Sequence, residues 1–318
     1  MDGPGMTSSA YAQGRRALVI HEDDVGMTHG ANVAFRELCA RGVVSSGSVM
    51  APCPWFPEAL ALAAENPTLD VGVHLTLNSE KRPMKWRPLT RPPPSAGLVD
   101  EFGYFWPDVR SVRRHAHPDA VESELRAQVD ALIRGGVDVT HLDAHMGAAA
   151  APQFLPIYQR LGEDYDLPVV LMRRVEGGNP RPAGRPATSP EFDRAVEAAA
   201  ARGDPVFDLF FETPWDRTAA IDGVYREALG GAGEGLSFFA FHFNAPGDFE
   251  AVEPEFARFR TEEYALFSSG RMEPMLAELG VELIGMRELR DRRRALRAAA
   301  AAGGPGGRRA RDESLGYT

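Results

Sequence analysis

The chain has 318 residues, 44% of them hydrophobic and 25% charged, the balance of a soluble globular protein long enough for one sizeable α/β domain. A net charge of -10 argues against a nucleic-acid partner, because no basic face is there to neutralise phosphates. The two cysteines, Cys39 and Cys53, make no disulfide framework, and no apolar run approaches the ~20 residues of a membrane span.

The first residues, MDGPGMTSSAYAQGRR, contain no apolar segment and so do not read as a signal peptide. Residues 1–15 are expected to be a disordered leader, and the protein is expected to be cytoplasmic. Eight strand-like stretches follow, at 17–22, 43–50, 70–77, 137–145, 168–173, 205–211, 236–243 and 281–286. Helix-like stretches separate most of them. The clearest runs over 119–134, opened by Pro118-Asp119 and closed by Gly135-Gly136, with Val121, Leu125, Val129 and Leu132 on one stripe. Repeated strand–helix alternation predicts a parallel α/β fold of seven to eight strands. A closed (β/α) barrel fits the count and the length. A doubly wound open sheet is the competitor, but no GxGxxG follows the first strand.

One long interruption, Asn78 to His117, is rich in proline and aromatics, which marks a loop that is either functional or disordered. From about Arg290 the chain is basic and rich in Ala and Gly. Residues 291–318 are expected to form a loose basic tail after a helix end.

Polar residues gather where strands end, the usual place for active residues in barrels and open α/β sheets. LVIHEDDVGMT, residues 18–28, sets His21, Glu22, Asp23 and Asp24 directly after an apolar run. Adjacent carboxylates repel, so such a cluster is either a solvated corner or a metal or acid/base site. The third strand, DVGVHLTL, places His74 near its end, and the seventh leads to His242. The fourth ends in THLDAH, where His141, Asp143 and His145 alternate and so project from one face in extended chain. A lone strand-end histidine is more often a hydrogen-bonded structural residue than a ligand. An aspartate with two histidines is nevertheless a recurrent set for a divalent cation, and Asp24, His74 and His145 can supply it from three strands. Asp23 beside it can then take a proton from an activated water, and His242 can donate one to a leaving group. Together these groups point to metal-assisted hydrolysis.

The ordered motifs HEDDVGMTHGANVAFRELCARGVVSSGSVM, DVGVHLTL and THLDAH resemble the carbohydrate deacetylases often called YdjC-like, which include chitooligosaccharide and hopanoid-biosynthesis deacetylases. The resemblance covers roughly residues 16–290. It implies a single-domain distorted (β/α) barrel, one divalent metal ion and removal of the acetyl group from an N-acetylated amino sugar. It implies Asp23 as the base, Asp24, His74 and His145 as metal ligands, and His242 as the acid. His141 and Asp143 would orient the ligands through hydrogen bonds. Three departures stand out: NADDFG is here HEDDVG, the histidines that often follow the second motif are replaced by HMGAAA, and HPG is here HFNAPGD.

Trp86 and Trp106, with Phe102, Tyr104 and Phe105, lie in the 78–117 loop, where they either stack on a sugar or pack the loop onto the body. Trp55 and Trp215 are weaker candidates of the same kind. Arg173 and Arg174 end the fifth strand, placed to bind substrate or orient Asp23, or to form a solvated corner. The leading expectation is a saccharide N-deacetylase using Mg2+ or Zn2+. Hydrolysis of another amide or ester, and a catalytically silent sugar-binding protein, are the alternatives. A homodimer is left open.

Overall fold

The computed structural model describes residues 9–177 and 189–302. Eight strands run through it: β1 (Arg16–Val25), β2 (Ser46–Val49), β3 (Val71–Leu75), β4 (Leu142–Ala144), β5 (Val175–Gly177), β6 (Leu209–Glu212), β7 (Gly235–Phe241) and β8 (Glu282–Leu283). They form one sheet in the order β4-β3-β2-β1-β7-β6-β5, with β8 on the first residues of β1. Every pairing is parallel, and helices fill the connections. Between the strands at the sheet's ends lies 168–173, the segment expected as the fifth strand. Val170 N–H donates to Leu142 O at 2.9 Å, and Arg173 N–H donates to Phe207 O at 2.8 Å. The sheet therefore curls round on itself, and the fold is α/β and barrel-like, as the strand–helix alternation predicts.

Local chemistry accounts for the main helices. His29–Ala40 starts at Thr28, whose hydroxyl accepts the Ala31 N–H. Pro118–Arg134 starts on proline and buries Val121, Leu125, Val129 and Leu132, the predicted stripe. Each such side chain contributes about 1.5–3 kcal/mol by leaving water. A large cluster packs the helices onto the sheet. A second cluster, including Ala17, Val19, Leu236, Phe238 and Ile284, fills the end of the curl where β1 and β7 begin.

Two expectations about the chain ends are corrected. Residues 1–8 lie outside the described residues, but Ser9–Ala12 is helical, and Tyr11 and Ala12 are buried in the second cluster. The Tyr11 hydroxyl donates to Gly203 O at 2.5 Å. At the other end, Met286–Ala302 is one continuous helix rather than a tail beginning at 291. Its arginines meet carboxylates at the base of the fold. Arg290 pairs with Asp138 at 2.5 Å, and buried Arg293 pairs with Asp166 and Asp204 at 2.6 and 2.7 Å. Residues 303–318 lie outside the described residues.

Candidate functional site

β1 delivers the first two groups by breaking its own alternation. Neighbouring strand residues normally face opposite sides of a sheet. Here the β1–β2 register shifts between Glu22 and Val25, and Asp24 adopts a φ of 65°. This left-handed conformation costs of order 1–3 kcal/mol in a residue other than glycine. It brings Asp23 and Asp24 to the wall of the same pocket. β3 contributes His74, and His145 follows β4 directly.

Asp24, His74 and His145 converge. Asp24 Oδ1 lies 3.0 Å from His145 Nδ1 and 3.5 Å from His74 Nε2, and the two nitrogens are 3.3 Å apart. Asp24 Oδ1 is buried and accepts no well-aligned hydrogen bond. One oxygen and two imidazole nitrogens this close to one another fit a divalent cation. Each imidazole is backed by a carboxylate on its far nitrogen, as metal-binding histidines commonly are. His74 Nδ1 faces Asp143 Oδ1 at 3.0 Å, and His145 Nε2 faces Glu80 Oε2 at 3.1 Å. Ser48 Oγ donates to Asp143 Oδ2 at 2.8 Å.

The charges follow from these contacts. Burial works against an ionised Asp24, yet Arg260, whose Nη2 donates to Asp24 Oδ2 at 2.7 Å, and His145 hold its carboxyl well below the usual range. Burial likewise opposes an ionised Glu80, but His145 and Lys81 bring it down to about 2. Burial alone would depress His145; the Glu80 and Asp24 carboxylates outweigh it and raise the imidazole to about 9.

Asp23 stands beside this set at the end of a buried hydrogen-bonded chain. Asp23 Oδ1 lies 2.7 Å from His21 Nδ1, and His21 Nε2 lies 2.9 Å from His141 Nε2. His141 Nδ1 lies 2.9 Å from Thr140 Oγ1, which donates to Asp70 Oδ1 at 2.5 Å. Because Thr140 gives its proton to Asp70, it accepts from His141 Nδ1–H, and His141 Nε2 accepts from His21 Nε2–H. Burial, with His21 alongside, depresses His141 to about 3 and keeps it neutral. Gly72 leaves room for this ring, since a Cβ there would meet it at 2.4 Å. Burial pushes the Asp23 carboxyl above its ordinary value, against the pull of His74 and His21.

His242 follows β7 and approaches from the other side, with Nε2 3.8 Å from Asp23 Oδ2. Its ring packs against Trp215, centroids 4.8 Å apart. The pocket over these groups has a volume of about 490 Å³. Asp23, Asp24, His145 and His242 line it together with the apolar residues Met172, Val175, Phe192 and Phe210.

The structure thus gathers Asp23, Asp24, His74, His145 and His242, with His141 and Asp143 behind them. It does not gather the other candidates. Trp86 is buried, and its indole N–H donates to Asn78 O at 2.8 Å. Trp106 donates to Gly97 O at 2.8 Å and stacks on His115. Both hold the 78–117 loop together and neither lines the pocket. Arg173 pairs with Glu197 and Arg174 with Glu176, both outside the pocket lining. Trp55 is exposed beside His29, whereas Trp215 does line the pocket. Sequence reasoning missed Glu80 and Arg260. Glu80 has one local signal, its position five residues beyond the end of a ligand-bearing strand. Arg260 has none, being one of several charges on the helix Pro254–Ser268.

The chain is similar to known proteins in sequence and in fold. A sequence model of the YdjC-like protein family matches residues 17–278. A carbohydrate deacetylase of Thermus thermophilus is 33% identical over 276 residues, covering 83% of this chain and 91% of that one. A carbohydrate deacetylase of Geobacillus stearothermophilus is 28% identical over 278 residues, covering 86% and 98%. A solved structure from Enterococcus faecalis V583, described as a candidate cellobiose-phosphate cleavage protein, is similar in fold. Its TM-score is 0.69 at 22% identity, over 86% of this chain and 99% of that one. The family match spans the sheet from β1 to the helix before β8, with every strand-end group of the pocket inside it, and the chain belongs to the YdjC-like family.

Proposed function

We propose that the chain is a metal-dependent N-deacetylase acting on an acetylated amino sugar, a short chitooligosaccharide or an amino-sugar conjugate. The observation that carries this reading is the convergence of Asp24 Oδ1, His74 Nε2 and His145 Nδ1 beside a carboxylate that is not part of the set. The names of the two full-length relatives support the substrate class. Two imidazoles and one carboxylate favour Zn2+ over Mg2+, which prefers oxygen ligands. Bound there, the ion supplies a Lewis acid for the acetamide carbonyl and the attacking water.

The chain's own groups do the rest. Asp23, held by His21, takes a proton from the water. Burial, which pushes its carboxyl above the ordinary value, makes it a stronger base than a solvated aspartate. His242 Nε2 faces the same space and protonates the departing amine. Arg260 occupies the second oxygen of Asp24, so that carboxylate offers the cation one atom. Trp215 and Phe256 give apolar faces at the pocket wall for a sugar ring.

The test is acetate release from a panel of N-acetylated sugars, with zinc, magnesium and other divalent ions supplied singly. Release that is abolished by chelation and lost by at least about 100-fold in Asp23→Asn is expected. Stoichiometric metal binding with no acetate from any sugar would refute the substrate class and turn the search to other amides and esters.

A further inference from the structure

Behind His242 lies a buried chain that the reaction above leaves unused. Thr213 Oγ1, just after β6, is 3.0 Å from His242 Nδ1 and 3.1 Å from Glu263 Oε2. Glu263 Oε2 also accepts the His242 backbone N–H at 3.2 Å, and the Tyr225 hydroxyl donates to Glu263 Oε1. All four residues are buried. A hydroxyl has one proton, so Thr213 donates to only one of its two neighbours at a time.

The two arrangements give opposite chemistry at the pocket. If Thr213 donates to an ionised Glu263, it accepts from His242 Nδ1–H. A neutral His242 then has a bare lone pair at Nε2 and has no proton there to give. If Glu263 is protonated and donates to Thr213, Thr213 donates to Nδ1, and the hydrogen sits on Nε2. We propose that Glu263 and Thr213 are positioning residues that set the His242 tautomer and resupply its ring with the proton it gives away. The proposal rests on His242 being the acid of the reaction proposed above.

The protons balance. As the C–N bond breaks, the amine takes the hydrogen from Nε2, and that N–H electron pair stays on the ring. Nδ1 takes the Thr213 proton, and the Thr213 oxygen takes the proton of Glu263. The ring and the hydroxyl each end neutral, and Glu263 ends as a carboxylate. The reverse transfer from solvent through Nε2 reloads it.

The surroundings favour this arrangement. Burial, with Arg260, His74 and His145 nearby, holds the His242 imidazole well below its usual range, so the neutral ring is the relevant form. Burial also raises the Glu263 carboxyl to about 8, against Arg217 and the hydrogen bonds from Thr213 and the His242 N–H. The groups facing Glu263 are Glu22 from β1, Glu212 and Thr213 from the β6 segment, Arg217, Tyr225 from the helix Ile221–Gly231, and His242 after β7. Below its titration the acid tautomer holds. Above it Glu263 ionises and Nε2 loses its hydrogen.

The experiment uses the full chain, zinc-loaded and labelled with 15N-histidine, with the His242 signals assigned from their loss in His242→Gln. Expected is a change from the Nε2–H to the Nδ1–H pattern as pH rises through about 8. In Glu263→Gln the amide donates to Thr213 at every pH, so the Nε2–H pattern persists. The turnover number on an acetylated amino sugar then falls about 100-fold or more and loses its alkaline limb. Thr213→Val, close in shape, uncouples the His242 pattern from pH. An Nδ1–H pattern at all pH in the unmodified protein, or an unchanged transition in both variants, overturns the proposal. A tautomer change without acetate release from any sugar upholds the relay and refutes the deacetylase reading. Acetate release with no tautomer change does the reverse.

Discussion

Loading the site with metal should release protons, and the amount follows from the geometry. In the metal-free protein the His145 imidazolium lies between two carboxylates, Asp24 on Nδ1 and Glu80 on Nε2, and is held to about 9. The proton stands in for the cation. At ~pH 7.5 nearly all His145 is charged, and a metal must displace the Nδ1 proton before that nitrogen can bind. The displacement costs about 2 kcal/mol, or about 30-fold in affinity. His74 is a second source. Burial opposes its charge, but Asp143 and Asp23 raise it well above its ordinary value. Zinc affinity should therefore rise between about 10- and 100-fold for each pH unit from ~6.5 to ~8.5, and flatten above about 9. Titration calorimetry in buffers of different ionisation enthalpy should count between one and two protons released per ion. The same linkage has a stability sign. A folded pKa above the unfolded one stabilises fully below the unfolded value, so the metal-free protein should lose stability as pH rises from about 6.5 to about 9. An affinity independent of pH, or a count near zero, would refute the imidazolium as placeholder.

Other perturbations separate the parts of the site. Glu80→Gln keeps an acceptor for His145 Nε2–H but removes the charge; zinc affinity should fall about 10- to 100-fold, and the proton count should drop, both read by calorimetry. Arg260→Met leaves the Asp24 carboxylate buried with its closest cation gone. Thermal unfolding should show a loss of about 3–5 kcal/mol without metal and clearly less with zinc bound; equal losses would mean that the cation does not meet Asp24. Ending the chain after Arg290 strips Asp166 and Asp204 of Arg293 and uncovers the second apolar cluster. Stability should fall by at least about 3 kcal/mol, and a tail with no structural part would leave the midpoint unchanged.

The sequence made the strand-end groups legible because their spacing is local. Asp23-Asp24 and His141-Leu-Asp143-Ala-His145 sit within a few residues of one another, at places where an apolar run stops. The parallel, barrel-like α/β class was legible from the alternation of strands and helices. The fifth strand was displaced: burial makes 168–173 apolar, yet the ladder to β6 forms at Val175–Gly177, where backbone partners are in register. Sequence left the loop aromatics open between sugar stacking and loop packing; for Trp86 and Trp106 the indole N–H groups are satisfied by the loop's own carbonyls. The basic end looked loose because its partners, Asp138, Asp166 and Asp204, are far away in sequence. Arg260 and Glu263 were hidden most completely. Three residues apart on a helix, they look like a solvated ion pair, and only packing against β1, β6 and β7 turns each toward a different task.

The order of strands in the sheet has a consequence for how this chain can diversify. Asp24, His74 and His145, with their supports Ser48, Glu80 and Asp143, all come from the first 145 residues, on the β1–β4 side. His242, Thr213, Arg260, Glu263 and the apolar wall of Phe192 and Phe210 come from the later half, on the β5–β7 side. The candidate ion ligands and the His242 side of the pocket thus come from separate stretches of sequence, joined where Arg260 reaches back to Asp24 and where 168–173 meets β4. Replacements at wall positions such as Phe192 and Phe210 can therefore reshape the pocket while Asp24, His74, His145 and Arg260 stay fixed, so the fit to a ligand can change without the centre being rebuilt.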